Sequence, residues 1–169
     1  EQSHQRLHAG TVERIEQQSA QLAGAVSRQM ALLANLIDSA VIRMRDAWAT
    51  HSERAYQETA EDMINNFPPG AVLQIGFIDG QVYLNYSSVG ITEQIYVGYR
   101  EHFKIHANST EDRLFISHPV LGRATKAWSI QFTRPIRQQE QFAGVVIVSI
   151  SPDYIAQSLL LPESGADDV

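Results

Sequence analysis

The stretch LFISHPVLGRATKAWSIQFTRPIRQQEQFAGVVIVSI, residues 114–150, carries three apolar runs of strand length, at 114–117, 128–136 and 142–150, the last two joined by a polar RQQEQ turn. Val145, Val146, Ile147, Val148 and Ile150 form a nearly unbroken β-branched run, which suits a central strand buried on both faces. The run before it alternates: Trp128, Ile130, Phe132 and Ile136 share one parity, and Ser129, Gln131 and Thr133 the other. One face of that strand is expected to pack in a core and the other to line a pocket. Trp128, a large aromatic on the apolar parity, is expected mainly to supply buried area. Arg134 shares that parity and is expected to emerge at the sheet edge, with Pro135 marking an irregularity.

Moving upstream, Leu73, Ile75 and Phe77 alternate with Gln74 and Gly76, and Asp79-Gly80 then turns the chain into Val82, Leu84 and Tyr86. Asp-Gly between two such runs is a strong hairpin signal. Residues 86–94 read as a loop of small residues, 95–97 as a short edge strand, 99–106 as one or two helical turns, and 108–112 as a polar turn.

Residues 4–50 lack Pro and are rich in helix formers. Ile15, Leu22, Val26, Met30, Leu33, Ile37, Val41, Met44 and Trp48 recur at helical spacing. The first half is sparse in apolar residues and is expected to project, pairing with a second copy, while the second half packs on the sheet. The seam alone leaves an ordinary core-facing helix and a dimerising signalling helix both open. A second helix is expected over 52–66, capped by Ser52 and stopped by Pro68-Pro69. Downstream, Ser151-Pro152-Asp153 begins a helix running to about residue 160, and ESGADDV reads as a linker. The expected division is a long helix over 1–50, a lobe over 51–161 and a linker over 162–169.

With 169 residues, 44% of them hydrophobic, the chain is long enough for one domain that buries roughly 70% of its unfolded surface. A net charge of −6 without a basic stripe gives no electrostatic reason to expect nucleic acid or an anionic lipid surface. The absence of cysteine excludes disulfides, thiol catalysis and Cys-ligated zinc. The longest apolar stretch, residues 30–41, falls short of the ~20 residues a membrane helix needs. A chain that opens at Glu1 on a helical pattern reads as an excised piece of something longer. No nucleophile elbow, phosphate loop or dinucleotide fingerprint is present, so an enzyme is not expected. The pairs Glu61-Asp62 and Glu111-Asp112 read as solvated charges, and no cofactor is expected. His4 with His8, and His102 with His106, stand at the i, i+4 spacing of one helix face, with no third ligand in sight to make a metal site.

GYREHFKIH, followed by LFISHPVLGRATKAWSIQFTRPI and FAGVVIVSISPDYI, resembles the Cache (PDC, PAS-like) extracytoplasmic sensor domains of bacterial receptors over residues 99–154. In that family a D-R-E-Y/H-F helix start precedes a G-R-x-S-G-x-W segment, then F-x-G-V-V and a closing S-x-x-Y helix. Tyr99 stands here where Asp is usual. The resemblance implies an α+β fold, an antiparallel sheet of about five strands with a long N-terminal helix and flanking helices. It also implies a small-molecule ligand and no catalysis. In the subgroup that binds amino acids, an R-x-W-Y segment supplies an Arg for the ligand carboxylate, and an Asp ending the G-V-V strand takes the ammonium. The matching positions here are Arg100-Glu101-His102-Phe103 and Ser149, so the carboxylate binder is kept and the ammonium partner is not. The ligand expected is therefore a small carboxylate or another polar metabolite rather than an amino acid.

Candidate ligand-binding residues are Arg100, His102, Phe103, Tyr99, Arg123, Trp128, Gln131, Thr133, Ser149 and Tyr83. His102 and His106 are also candidate pH sensors. The resemblance further implies a periplasmic location in an inner-membrane receptor, reached through flanking membrane helices. Such a receptor carries a diguanylate cyclase, histidine kinase or chemotaxis output; a homodimer through the N-terminal helix is also expected, from the seam. The rival expectation is a ligand-free oligomerisation module that sets dimer geometry.

Overall fold

The computed structural model describes residues 2–160, with side chains from residue 9 onward. Among the described residues the helices are α1 (Gln2–Ala49), α2 (Glu53–Asn66), α3 (Glu101–Ala107) and α4 (Pro152–Leu160). The strands are β1 (Val72–Asp79), β2 (Tyr83–Ser87), β3 (Ile95–Tyr96), β4 (Phe115–Ile116), β5 (Val120–Leu121), β6 (Trp128–Gln138) and β7 (Gln141–Ile150). The α+β antiparallel architecture is as expected, with seven strands rather than about five. Three of them, β3, β4 and β5, are two residues long, and β5, directly after Pro119, carries no run from which to predict it.

The sheet order is β3-β2-β1-β7-β6-β4, with β5 paired to β6. Central β7 is hydrogen-bonded on both edges, and its residues 144–150 are all buried, as its β-branched run implies. Gly144 sits between Asp79 of β1 and Ile136 of β6, where a Cβ would collide with the Ile78 carbonyl, so only glycine lets the strands approach there. The β6–β7 connection is a two-residue turn with Gln139 and Glu140 both left-handed, at φ 53° and 66°. That geometry matches the twist of a hairpin, at a steric cost for residues that carry a Cβ.

At the β1–β2 hairpin, Asp79 Oδ1 accepts the N–H groups of Gln81 and Tyr83 at 2.8 and 3.1 Å, closing an Asx-type turn. The expected alternation of Leu84 with Tyr86 on one face does not hold. Ile78 pairs with Leu84 and Phe77 with Tyr86, leaving Asn85 as an extra residue, and this bulge sends Leu84 and Tyr86 to opposite faces.

One sheet face is covered by α1, α2 and α4. Ile37, Val41 and Met44 of α1 are fully buried against Ile75, Phe77, Phe132, Val146 and Val148. Burial of each such side chain contributes about 1.5–3 kcal/mol. Trp48 stacks on Phe77 at 4.3 Å, and Tyr56 of α2 meets Phe77 and Tyr86 edge-on. Ser52 caps α2 by accepting the Ala55 N–H. The earlier part of α1 projects as its sparse seam implies, with Ile15 and Leu22 57% and 67% exposed.

Arg134 faces α1 instead of emerging at the sheet edge. Its Nε and a terminal nitrogen donate to Asp38 at 2.6 and 2.9 Å, and its other terminal nitrogen donates to Asp112 at 3.0 Å. Asp112 is also held by Arg45 at 2.7 and 3.1 Å, so it is a cross-link between α1 and the α3–β4 segment rather than a solvated charge. Asp62 also pairs with Arg43, at 3.3 Å, but both side chains are more than half exposed, so it remains a solvated charge. Among the described residues no helix is long and apolar enough to cross a membrane. The linker expected over 162–169 and the side chains of His4 and His8 lie outside the described residues.

Candidate functional site

The polar parity of β6 faces away from α1, under α3. Ser129, Gln131 and Thr133 are all buried there, and the neighbouring strands add Gln74, Ser87 and Ser149. Several of these side chains pair with one another. Gln131 Nε2 donates to Ser129 at 2.8 Å, its Oε1 accepts the Ser149 hydroxyl, and Gln74 Oε1 accepts the Ser87 hydroxyl at 2.9 Å. Such pairing is what makes a buried polar layer affordable in free energy.

Above this layer lies a cavity of about 30 Å³. Gln74, Leu84, Gln131 and Ile147 form its floor; Arg100 and His102 close it from the start of α3; Gly122, Arg123 and Ala124 wall it on the β5–β6 side. The volume exceeds the roughly 10–15 Å³ that one ordered water needs. A wider groove of about 740 Å³ runs along the outer side of α3 past Lys104 and Arg113, but it is open to solvent and touches none of the buried polar layer.

α3 is placed by its own apolar face. Phe103 is buried and packs edge-on against Phe142 at 5.6 Å, and His106 Nε2 lies 2.8 Å from the Thr133 hydroxyl. Arg100, immediately before the helix, donates to the Leu121 carbonyl at 2.7 Å and thereby ties α3 to β5. It forms no ion pair with a described residue. His102 is 5% exposed, and no hydrogen-bonding partner among the described residues reaches its ring. Burial, then the neighbouring Arg100 and His106, push its pKa down to about 4. His106 is also driven to about 4, chiefly by burial. Both imidazoles are therefore neutral at pH 7. The exposed Tyr99 hydroxyl accepts from Arg123 at 3.2 Å, which lowers its pKa.

Of the ten residues singled out from the sequence, Arg100, His102, Arg123 and Gln131 meet at this cavity. Ser149 and Thr133 lie one bond behind it, orienting Gln131 and His106. Phe103 anchors α3 from the apolar side, and Tyr99 stands outside at the rim. Tyr83 contacts Tyr96 at 6.0 Å on the β2–β3 edge and does not reach the cavity. Trp128 is neither core nor pocket. It is 62% exposed, because it is the first residue of β6 and its strand neighbour is Leu121 of the short outer β5. Gln74, Leu84 and Ile147 were not singled out. The polar parity of β1 signals Gln74, whereas Leu84 arrives only through the bulge at Asn85. Among the described residues no three His, Asp or Glu side chains are grouped so as to hold a metal ion.

No family model and no curated protein matches the chain. Solved structures do. The extracellular domain of rpHK1S-Z16, described as a histidine kinase, superposes with a TM-score of 0.64 at 20% identity, over 80% of this chain and 56% of that one. The ligand-binding domain of the Campylobacter jejuni chemoreceptor Tlp3, solved with 4-methylisoleucine, gives 0.62 at 12% identity over 82% and 58%. The ligand-binding domain of Mlp24 with asparagine gives 0.56 at 16% identity over 79% and 54%. The chain thus spans a little over half the length of these neighbours. At such identities the likeness is one of fold, and the fold is that of the PDC/Cache sensor domains, the one its sequence resembles.

Proposed function

We propose that the chain is an extracytoplasmic, non-catalytic sensing domain of a membrane-bound bacterial receptor, and that the cavity under α3 takes a small polar ligand of carboxylate type. The observation that carries this reading is the convergence of Arg100, His102 and Gln131 on one pocket, on the sheet face opposite α1. The solved structures of like fold support it, since those named above are described as sensor or ligand-binding domains. A ligand drawing on Arg100 would shift α3 and the β5–β6 segment, and the ion pairs of Asp112 lead from there to α1. α1 and α4 would carry the shift onward to a cytoplasmic output such as a histidine kinase or diguanylate cyclase. The division into a long helix over 1–50 and a sensing lobe over 51–161 belongs to this reading, as does a homodimer through the exposed Ile15, Leu22 and Val26.

One observation favours the second reading, a ligand-free module that sets dimer geometry. The cavity is only about 30 Å³, with Gln131 already locked to Ser129 and Ser149. A thermal-shift screen with organic acids and amino acids separates the two. A sensor rises in melting temperature with at least one compound, by RT ln(1 + [L]/Kd) in stability. No shift across the panel, with a dimer that Leu22→Glu dissociates in sedimentation, establishes the module instead.

A further inference from the structure

Three buried side chains seat α3 on the sheet, and two of them are imidazoles. His102, Phe103 and His106 are 5%, 6% and 1% exposed, whereas Glu101, Lys104 and Ala107 face solvent. We propose that α3 is an acid-released lid: protonation of the His102 and His106 pair unseats this helix while the core beneath α1 stays folded, which makes the proton an input to the domain that needs no ligand under α3.

The seat disfavours a charged imidazole on every side. Facing His102 are Arg100 and His106 of its own segment and Arg123 of the β5–β6 segment; the sheet presents Gln74 of β1, Gln131 of β6 and Ile147 of β7. Among these there is no carboxylate. Facing His106, besides His102, are Asp112 and Arg113 from the segment between α3 and β4, Phe115 of β4, and Thr133 and Arg137 of β6. Asp112 is the one carboxylate of the two sets, and Arg45 and Arg134 already hold it. An imidazolium in either place would be desolvated beside guanidinium groups, so burial and neighbouring charge act in the same direction. Once α3 is released, each ring returns to water and to its ordinary pKa of about 6.5. Acid therefore favours the released state, and the two histidines act together.

The helix is also lightly tied. Its seven residues are too few to persist as an isolated helix, and the Arg100 side chain at its N-cap makes no capping bond. One side-chain bond holds each end: Arg100 donates to the Leu121 carbonyl at 2.7 Å, and Arg137 to the Ser109 carbonyl at 2.6 Å. The core around Ile37, Val41, Met44, Phe77 and Phe132 lies on the other sheet face and contains no residue of α3. Strand β7 keeps β1 and β6 on its edges whether α3 is seated or not. Release is therefore a local opening. Hydrogen bonds from Arg45 hold the Asp112 pKa below the usual carboxylate value, so Asp112 stays ionised in mild acid. The segment that follows α3 remains tied to α1 through it, and a movement of α3 is transmitted there.

The test is hydrogen exchange on the 169-residue chain, read by mass spectrometry as protection factors for α3 and β7 at pH 7.5 and 5.0. Each histidine that gains a proton on release raises the opening equilibrium up to about tenfold per pH unit below its ordinary pKa. The expected result is an α3 protection factor lower at pH 5.0 by about a hundredfold or more, and below that of β7 at both pH values. His106→Gln, whose amide can still meet the Thr133 hydroxyl, is expected to reduce that fall to about its square root. Should this variant leave α3 unseated at pH 7.5, Arg123→Glu takes its place: a carboxylate facing His102 is expected to blunt the fall. An α3 protection factor that does not change with pH overturns the proposal. So does one protection factor shared by α3 and β7 at both pH values, which would mean that α3 opens only when the whole chain unfolds. A variant that falls as far as the wild type places the protons elsewhere and overturns it as well.

Discussion

His102 and His106 lie one turn apart on α3, and both are neutral because the fold removes them from water. In the unfolded chain each binds a proton below about pH 6.5, whereas in the folded chain neither does until about pH 4. Between those values the unfolded state holds more protons, so stability rises with pH through that window and is lost as the pH falls. The slope is at most about 1.4 kcal/mol per pH unit for each histidine. Urea melts between pH 7 and 4.5 should show wild-type stability falling. His106→Gln, whose amide can still meet the Thr133 hydroxyl, should fall less steeply. Parallel curves for the two proteins would mean that His106 is not held neutral.

At the scale of elements, two features set how the sheet and α1 hold together. The β6–β7 turn places Gln139 and Glu140 in the left-handed region, which costs a residue with a Cβ roughly 1–2 kcal/mol. Glu140→Gly removes the clash at some entropic expense, so the variant should gain about 0.5–1 kcal/mol in chemical denaturation. Loss of stability would show that the Glu140 side chain makes a contact worth more than the strain.

The second feature is the Asp38–Arg134–Asp112–Arg45 network joining α1 to β6 and to the segment after α3. Arg134 and Asp38 have side chains only 15% and 17% exposed, so removing one partner leaves a largely desolvated charge. Asp38→Ala should cost about 1–3 kcal/mol, while the double variant Asp38→Leu/Arg134→Met should cost less than the single one. A double variant that loses more than Asp38→Ala would indicate that the pair contributes net stability rather than specificity. This network was invisible in the sequence because its members lie far apart along it: 96 residues for Arg134 with Asp38, 67 for Arg45 with Asp112.

Across the whole molecule, what was legible follows from periodicity. The switch from helical spacing up to Trp48 to alternation at Leu73, the β-branched run at 145–150, and the two parities of β6 specify a sheet with one helical cover and one polar face. Arg100 and Gln131 therefore reach one cavity as anticipated. Trp128 misled because parity fixes a face and not a depth: a residue at the end of a strand beside a two-residue partner stays in water. Leu84 escaped notice because a one-residue bulge inverts the faces beyond it, and hydrophobic pattern carries no mark of that bulge. The neighbours of like fold are nearly twice as long as the part matched.

The central claim is that a ligand enters the pocket beside Arg100. The most direct measurement is the melting temperature of the wild-type chain and of Arg100→Ala across one panel of small organic acids and amino acids. The account predicts at least one compound that raises the wild type in a saturable way and leaves Arg100→Ala unmoved. Equal shifts in both proteins, or none in the wild type, would contradict it.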